Sequence, residues 1–137
     1  MIDVKVSRNY DVPAARVWAL LADFGNISWA PGMDKVQVEG SGVGMVRRID
    51  MGDFVVEEKL ESLDHNAMRF SYTIPKMPMP LTDYRAGGQV VATGANSCRV
   101  DWFCTATPEG MSAEEATATV EGLYGQLLGW IQAHFDK

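Results

Sequence analysis

Apolar and polar residues alternate through the start of the chain, where Ile2, Val4 and Val6 are interleaved with Asp3, Lys5 and Ser7. A period of two predicts a strand with one buried face. The pattern then changes. In DVPAARVWALLADF, Val17, Leu20, Leu21 and Phe24 fall at helical spacing, and Pro13 suits a first helical turn because its missing N–H would be unpaired there anyway. Gly25 is expected to end this helix, and NISWAP to add a second short one. Six more strand-like runs follow, divided by turn signals: KVQVEG, GMVRRIDM, FVVEEKLESLD, AMRFSYTI, LTDYRAGGQVVAT and SCRVDWFCTAT. From Ser112 the period becomes 3.6. Ser112 with Glu115 forms a capping box, and Val120, Leu123, Tyr124, Leu127, Leu128, Ile131 and Phe135 make an apolar stripe along one long helix.

The order is strand, two short helices, six strands, long helix. Strands joined by short turns pair antiparallel, and segregation of strands from helices predicts an α+β domain with the last helix covering one face of a seven-stranded sheet. Gly40, Gly42 and Gly44 surround one turn, and Gly87-Gly88 lie inside a strand, where a bulge or bend is expected. A sheet curved in this way need not fill its interior.

Composition narrows the function classes. The 137 residues fit one domain, 1–137. A formal charge of −6 with scattered basic residues argues against nucleic acid and against an anionic membrane surface. No apolar run approaches the roughly 20 residues that cross a bilayer. The first ten residues do not build the apolar stretch of a signal peptide, so cytoplasmic residence is expected. Cys98 and Cys104 are six residues apart. On one strand that is roughly 20 Å at about 3.3 Å per residue, beyond the reach of a disulfide, so both read as free thiols of a reducing compartment.

Chemistry-bearing residues are few. Alternation in FVVEEKLESL puts Glu58 on one face with Val56 and Leu60, the face a core would use. A buried carboxylate needs a partner or must keep its proton. In MVRRID, Arg47 shares its face with Met45 and Ile49 and is the expected partner; the pair reads either as a structural ion pair at the sheet rim or as part of a pocket. Met77 and Met79, in a proline-rich loop, offer either adaptable apolar surface or a plain strand connection. Trp29 either caps a cavity mouth or packs in the core. His65 falls in a turn and His134 near the C-terminus. No nucleophile elbow, phosphate loop or cluster of metal ligands appears, so neither metal nor cofactor is expected.

Taken in order, VPAARVWALLADFGNISWAPG, GVGMVRRI, EEKLESLD, LTDYRA and RVDWFCTATPEG, with the final helix, resemble the START-like (SRPBCC, helix-grip) superfamily over nearly the whole chain. That superfamily includes bacterial polyketide cyclase/dehydrase-type proteins, the birch-pollen allergen group and the plant abscisic-acid receptors. The resemblance implies a cavity between a concave sheet and the long helix that takes small hydrophobic molecules. It implies that Glu58 points inward, that Tyr84 and Ala86 line the cavity behind a loop, that Phe70 and Tyr72 form one wall, and that Thr119, Leu123, Tyr124 and Leu127 face the ligand. It also places Asp101 inside, completing an Arg47–Glu58–Asp101 floor. Alternation in SCRVDWFCTA opposes this last point, grouping Trp102 with Cys98, Val100 and Cys104 instead. The gate-like turn EGSGVG lacks the proline of the receptors' gate, so receptor-style signalling is not expected.

Three functions are compatible with this reading. The first is a binding protein for a hydrophobic or aromatic molecule. The second is a polyketide cyclase- or dehydratase-like enzyme, in which Glu58, Asp101 and Tyr84 are the candidate acid/base groups. The third is a folding or stress accessory that binds a protein partner. Trp102 or Phe103, if on the outer face, would mark a homodimer contact.

Overall fold

The computed structural model describes residues 1–33 and 35–137. Its elements are β1 (Ile2–Tyr10), α1 (Ala14–Ala22), β2 (Val36–Glu39), β3 (Val46–Asp50), β4 (Val55–Asp64), β5 (Arg69–Thr73), β6 (Leu81–Gly94), β7 (Ser97–Pro108) and α2 (Ala113–Phe135). The seven strands form one antiparallel sheet in the order β1-β7-β6-β5-β4-β3-β2. Strands β2 to β7 are therefore a continuous meander, and the first strand pairs with the last. Helix α1 and the turns after it carry the chain from one edge of the sheet to the other. This is the α+β helix-grip architecture.

Among the described residues one helix, not two, follows β1. Helix α1 stops at Ala22, with Asp23 as its cap, and NISWAP folds as separate turns, closed by Asn26 N–H to Asp23 O (2.9 Å) and Ala30 N–H to Ile27 O (2.9 Å). Helical bonding cannot propagate here. The Asn26 side chain accepts from the Ser28 N–H at 3.1 Å, and Pro31 has no N–H to give. The turns nonetheless bury Ile27, Trp29 and Ala30. Gly25 does not end the helix either; a Cβ there would lie 3.1 Å from Val38, so its small size serves packing.

Helix α2 starts where the capping box predicts, the Ser112 hydroxyl accepting from the Glu115 N–H at 3.0 Å. Its apolar stripe divides in two. Ala116, Val120, Tyr124, Leu128 and Ile131 are buried, and the helix packs mainly on β1 and β7. Tyr10 on β1 fastens it, its hydroxyl donating to the Leu128 carbonyl at 2.7 Å. Leu123 and Leu127 lie to the side of that buried line and overhang the strands beyond. Three glycines, Gly122, Gly125 and Gly129, interrupt the same helix. A Cβ at Gly122 or Gly125 would meet nothing within 4 Å.

The sheet bends without a bulge at Gly87-Gly88. Pairing of β6 with β7 runs unbroken from Arg85 to Ala92, and its irregularities fall outside that stretch, between Ala92 and Gly94 and between Thr82 and Arg85, where Asp83 has a positive φ of 52°. The glycines do a different job. A Cβ on Gly87 would strike the Phe70 carbonyl oxygen, and one on Gly88 would sit 2.8 Å from the Phe70 ring and 3.2 Å from Trp102. Side chains are absent there so that two aromatic rings can lie against the strand. On the opposite, convex face charges pair across strands: Arg48 with Glu57 (3.0 Å) and Glu39 (2.8 Å), and Arg85 with Glu61 (3.0 Å). No helix among the described residues is long and apolar enough to cross a membrane.

Gly87→Ala should lower the unfolding free energy by about 1–3 kcal/mol or more, because backbone must move to admit the methyl. Gly122→Ala, in open helix, should raise it by about 0.5–1 kcal/mol. Denaturant titration of the two variants beside the parent protein measures both.

Candidate functional site

The concave face is not filled. A cavity of about 250 Å³ lies between the sheet and α2. The turns after α1 contribute Ile27, Trp29, Ala30 and Met33 to its wall, and β3–β4 contribute Arg47, Ile49, Met51, Phe54, Val56 and Glu58. Tyr72, Ile74 and the loop residues Met77, Pro78 and Met79 form another side; Tyr84, Trp102, Leu123, Tyr124, Leu127 and Trp130 complete it. Nearly all of this surface is apolar. Met51, Phe54 and Leu123 are exposed and mark the mouth.

Two charges sit in this apolar wall. Arg47 and Glu58 are directly opposed on β3 and β4, as alternation predicts, and both are buried. Arg47 Nε donates to Glu58 Oε1 at 2.6 Å and Nη1 donates to the Phe24 carbonyl at 2.6 Å. The guanidinium lies 3.8 Å from the centre of the Phe24 ring, a cation–π contact. Each charge is thus compensated, which a buried ion requires. Arg48, the other candidate, points to the convex face.

The tyrosines converge, as the family pattern implies. The hydroxyls of Tyr84 and Tyr124 hydrogen-bond to each other, and Trp102 Nε1 donates to the Tyr72 hydroxyl at 3.3 Å. Burial pushes the pKa of all three phenols above the ordinary tyrosine value, and for Tyr72 and Tyr124 the neighbouring phenols add to the effect. All three therefore stay protonated at neutral pH.

Of the residues expected at the site, Trp29, Arg47, Glu58, Tyr72, Met77, Met79, Tyr84, Leu123, Tyr124 and Leu127 line the cavity. Four do not. Phe70 lies one layer deeper, packed between Trp18, Phe24, Tyr72 and Trp102. Ala86 shares the concave face but is fully buried, and its methyl is too short to reach the cavity. Thr119 is exposed and bonds its own helix, donating to the Glu115 carbonyl at 2.9 Å; it lies one turn before the cavity wall begins. Asp101 is on the convex face, accepting from Ser7 Oγ at 2.6 Å and Arg99 Nε at 2.9 Å. The proposed three-residue floor is therefore a pair. The alternation that grouped Trp102 with Cys98, Val100 and Cys104 gives the observed orientation. Trp102 lines the cavity, so it is no outer-face contact, whereas Phe103 does lie outside, under Arg69 at 4.3 Å. Trp130 joins the lining as well; it stands three residues beyond Leu127 and seven beyond Leu123, the spacing of one helix face. Met51 and Phe54 flank a turn; the alternation that places Arg47 with Ile49 and Glu58 with Val56 puts Met51 and Phe54 on the same inward face.

Among the described residues no group of three or more His, Cys, Asp or Glu is placed to hold a metal ion. His65 is engaged as an acceptor from Trp18 Nε1 at 3.1 Å.

The chain belongs to the polyketide cyclase/dehydrase and lipid transport family, whose sequence profile matches residues 1–136. Its structure is similar to that of an uncharacterised protein of Bacillus thuringiensis, with 28% identity, a TM-score of 0.90 and coverage of 99% of this chain and 100% of that one. It is also similar to the protein XoxI of Bacillus cereus, with 28% identity, a TM-score of 0.88 and coverage of 98% and 96%. Norcoclaurine synthase of Thalictrum flavum, solved with dopamine and hydroxybenzaldehyde, shares the fold at 17% identity, with a TM-score of 0.78 over 98% of this chain and 86% of that one. Among curated proteins none matches the sequence.

Two titrations follow from these environments. The protein has four tyrosines, and burial raises the fourth, Tyr10, as well. A group whose pKa is raised by folding contributes stability below its unfolded value, and that stability is lost as pH climbs past it. No tyrosinate absorbance should therefore develop near pH 10, the unfolded value, until the protein unfolds; its onset should coincide with loss of circular dichroism. Asp101 runs the other way. Burial alone would raise its carboxyl, but hydrogen bonds from Arg99 and Ser7 outweigh burial and hold it below the usual carboxylate value. Its contribution is present above about pH 4, the unfolded value, and lost as pH falls below it. Asp101→Asn should lower stability at neutral pH and flatten its acid limb, measured by denaturant midpoints across pH.

Proposed function

We propose that the chain, as one domain over 1–137, binds a small hydrophobic or aromatic molecule in the cavity between sheet and C-terminal helix. One observation carries the reading: an apolar hollow in which the few polar groups converge from different strands, the usual form of a small-molecule site. Family membership points the same way at a coarser level. The exposed apolar side chains Met51, Phe54 and Leu123 belong to the cavity rim. Met77, Pro78 and Met79 supply adaptable cover. The free, buried thiols Cys98 and Cys104 support residence in a reducing compartment.

A second reading is an enzyme that moves protons on an enolisable substrate. It rests on Glu58 and three protonated phenols facing one cavity. In that reading Glu58 is the base and the tyrosines donate to the developing oxyanion. An enolisable ligand would then be converted by the wild-type protein and left unconverted by Glu58→Gln.

The binding reading has a direct test. Trp29, Trp102 and Trp130 line the cavity, so titration with a naphthalene-type compound should change tryptophan fluorescence in a saturable way. Val56→Phe, which fills the hollow from β4, should weaken that binding by at least about tenfold. Native mass spectrometry of freshly purified protein should show an added small mass that Val56→Phe lacks.

A further inference from the structure

Arginine–carboxylate pairs commonly close as a fork, with two parallel N–H···O bonds. The Arg47–Glu58 pair closes one prong. Nε reaches Oε1 and Nη1 is turned to the Phe24 carbonyl. Among the described residues, Nη2 and Oε2 have no hydrogen-bond partner. No fully sealed side-chain nitrogen or oxygen among those residues lacks a partner, so these two atoms keep accessible surface. Both residues line the cavity. The open prong thus presents the N–H donors of Nη2 and one carboxylate acceptor beside the hollow.

We infer that this open prong is the recognition point for the ligand's polar head, and that the head is neutral, with a hydrogen-bond acceptor and donor on adjacent positions of a ring, as in a lactam. This rests on the binding reading above. Nη2–H donates to the ligand carbonyl, and the ligand N–H donates to Oε2. The pair is neutral as a whole and the rest of the wall is almost entirely apolar. An ionised carboxylate or ammonium on the ligand would therefore enter without a counter-charge, at a desolvation cost that nothing here offsets. Among the phenols, Tyr84 and Tyr124 are bonded to each other and Tyr72 accepts from Trp102; a phenol O–H left over can add a donor to the ligand carbonyl, but only Oε2 offers a charged acceptor to the ligand N–H. Size adds a limit. An apolar cavity of about 150 Å³ accommodates benzene, so 250 Å³ scales to about ten non-hydrogen atoms, the size of two fused rings.

The experiment compares four probes of similar shape by isothermal titration calorimetry at neutral pH: naphthalene, quinoline, 2-quinolinone and 2-naphthoate. Hydrogen bonds to charged groups are strong enough that 2-quinolinone should bind at least about tenfold more tightly than naphthalene or quinoline. The anion 2-naphthoate should bind more weakly than 2-quinolinone by a similar factor or more. Glu58→Gln replaces the acceptor with an amide that can turn its N–H to the cavity, so the ratio of 2-quinolinone to quinoline affinity, read within that variant, should fall toward one. Equal affinities for naphthalene and 2-quinolinone, tight binding of 2-naphthoate, or an unchanged ratio in Glu58→Gln would overturn this inference and leave the binding reading standing. Binding of none of the probes would overturn both.

Discussion

The seating of α2 at one end of the sheet is the constraint on which the rest depends. Its buried line, Val120, Tyr124, Leu128 and Ile131, packs mainly over β1 and β7, and the bond from Tyr10 to the Leu128 carbonyl fixes its height. A single helix is about 10 Å wide, whereas seven strands at about 4.8 Å spacing span far more. One helix cannot cover that face. The uncovered concave surface of β3, β4 and β5 must meet something else. It meets the turns around Trp29, the Met-Pro loop and the overhanging side of α2, which close around a hollow without filling it.

That geometry explains why polar groups survive in the interior. Arg47 and Glu58 face each other across neighbouring strands, with Phe24 supplying both a carbonyl and a ring face. Three phenols meet above them. In a solid core each hydroxyl and charge would need a protein partner in fixed geometry. Beside a hollow, leftover hydrogen-bonding capacity can be directed at whatever occupies it. The distribution of polar atoms and the failure of the sheet to close are two aspects of one arrangement.

Much of this was legible in the residue pattern, and the reasons differ for each part. Alternation on β3 and β4 places Arg47 and Glu58 inside because a two-residue period leaves little freedom once one face is apolar. The same rule places Trp102 inside and Asp101 outside, against the family resemblance; the local physical pattern was the better guide where the two conflicted. Asp101 is nonetheless buried, between Ser7 and Arg99. Thr119 and Phe70, which the family resemblance placed at the cavity, miss it for a geometric reason that periodicity would not have caught either. A period names the face of an element but not how far along it a cavity extends, nor which of two stacked rings stands in front. Met51 and Phe54 continue the faces of Arg47 and Glu58 to the ends of their runs, so the same period could have found them. The second short helix failed because Asn26 and Pro31 remove the hydrogen bonds that would propagate it.

The glycines of α2 carry a consequence for how guests come and go. Gly122, Gly125 and Gly129 alternate with Leu123, Leu127 and Trp130, the side chains that hang over the hollow, and no packing requirement explains the first two. Each glycine weakens the helical backbone where it stands. The roof is therefore softest along the stretch that shapes the opening, while the seam against β1 and β7 remains closely packed. Such a roof can flex to suit occupants of somewhat different bulk without unseating the helix, and the breadth of what the cavity accepts becomes a property of backbone compliance as much as of the lining.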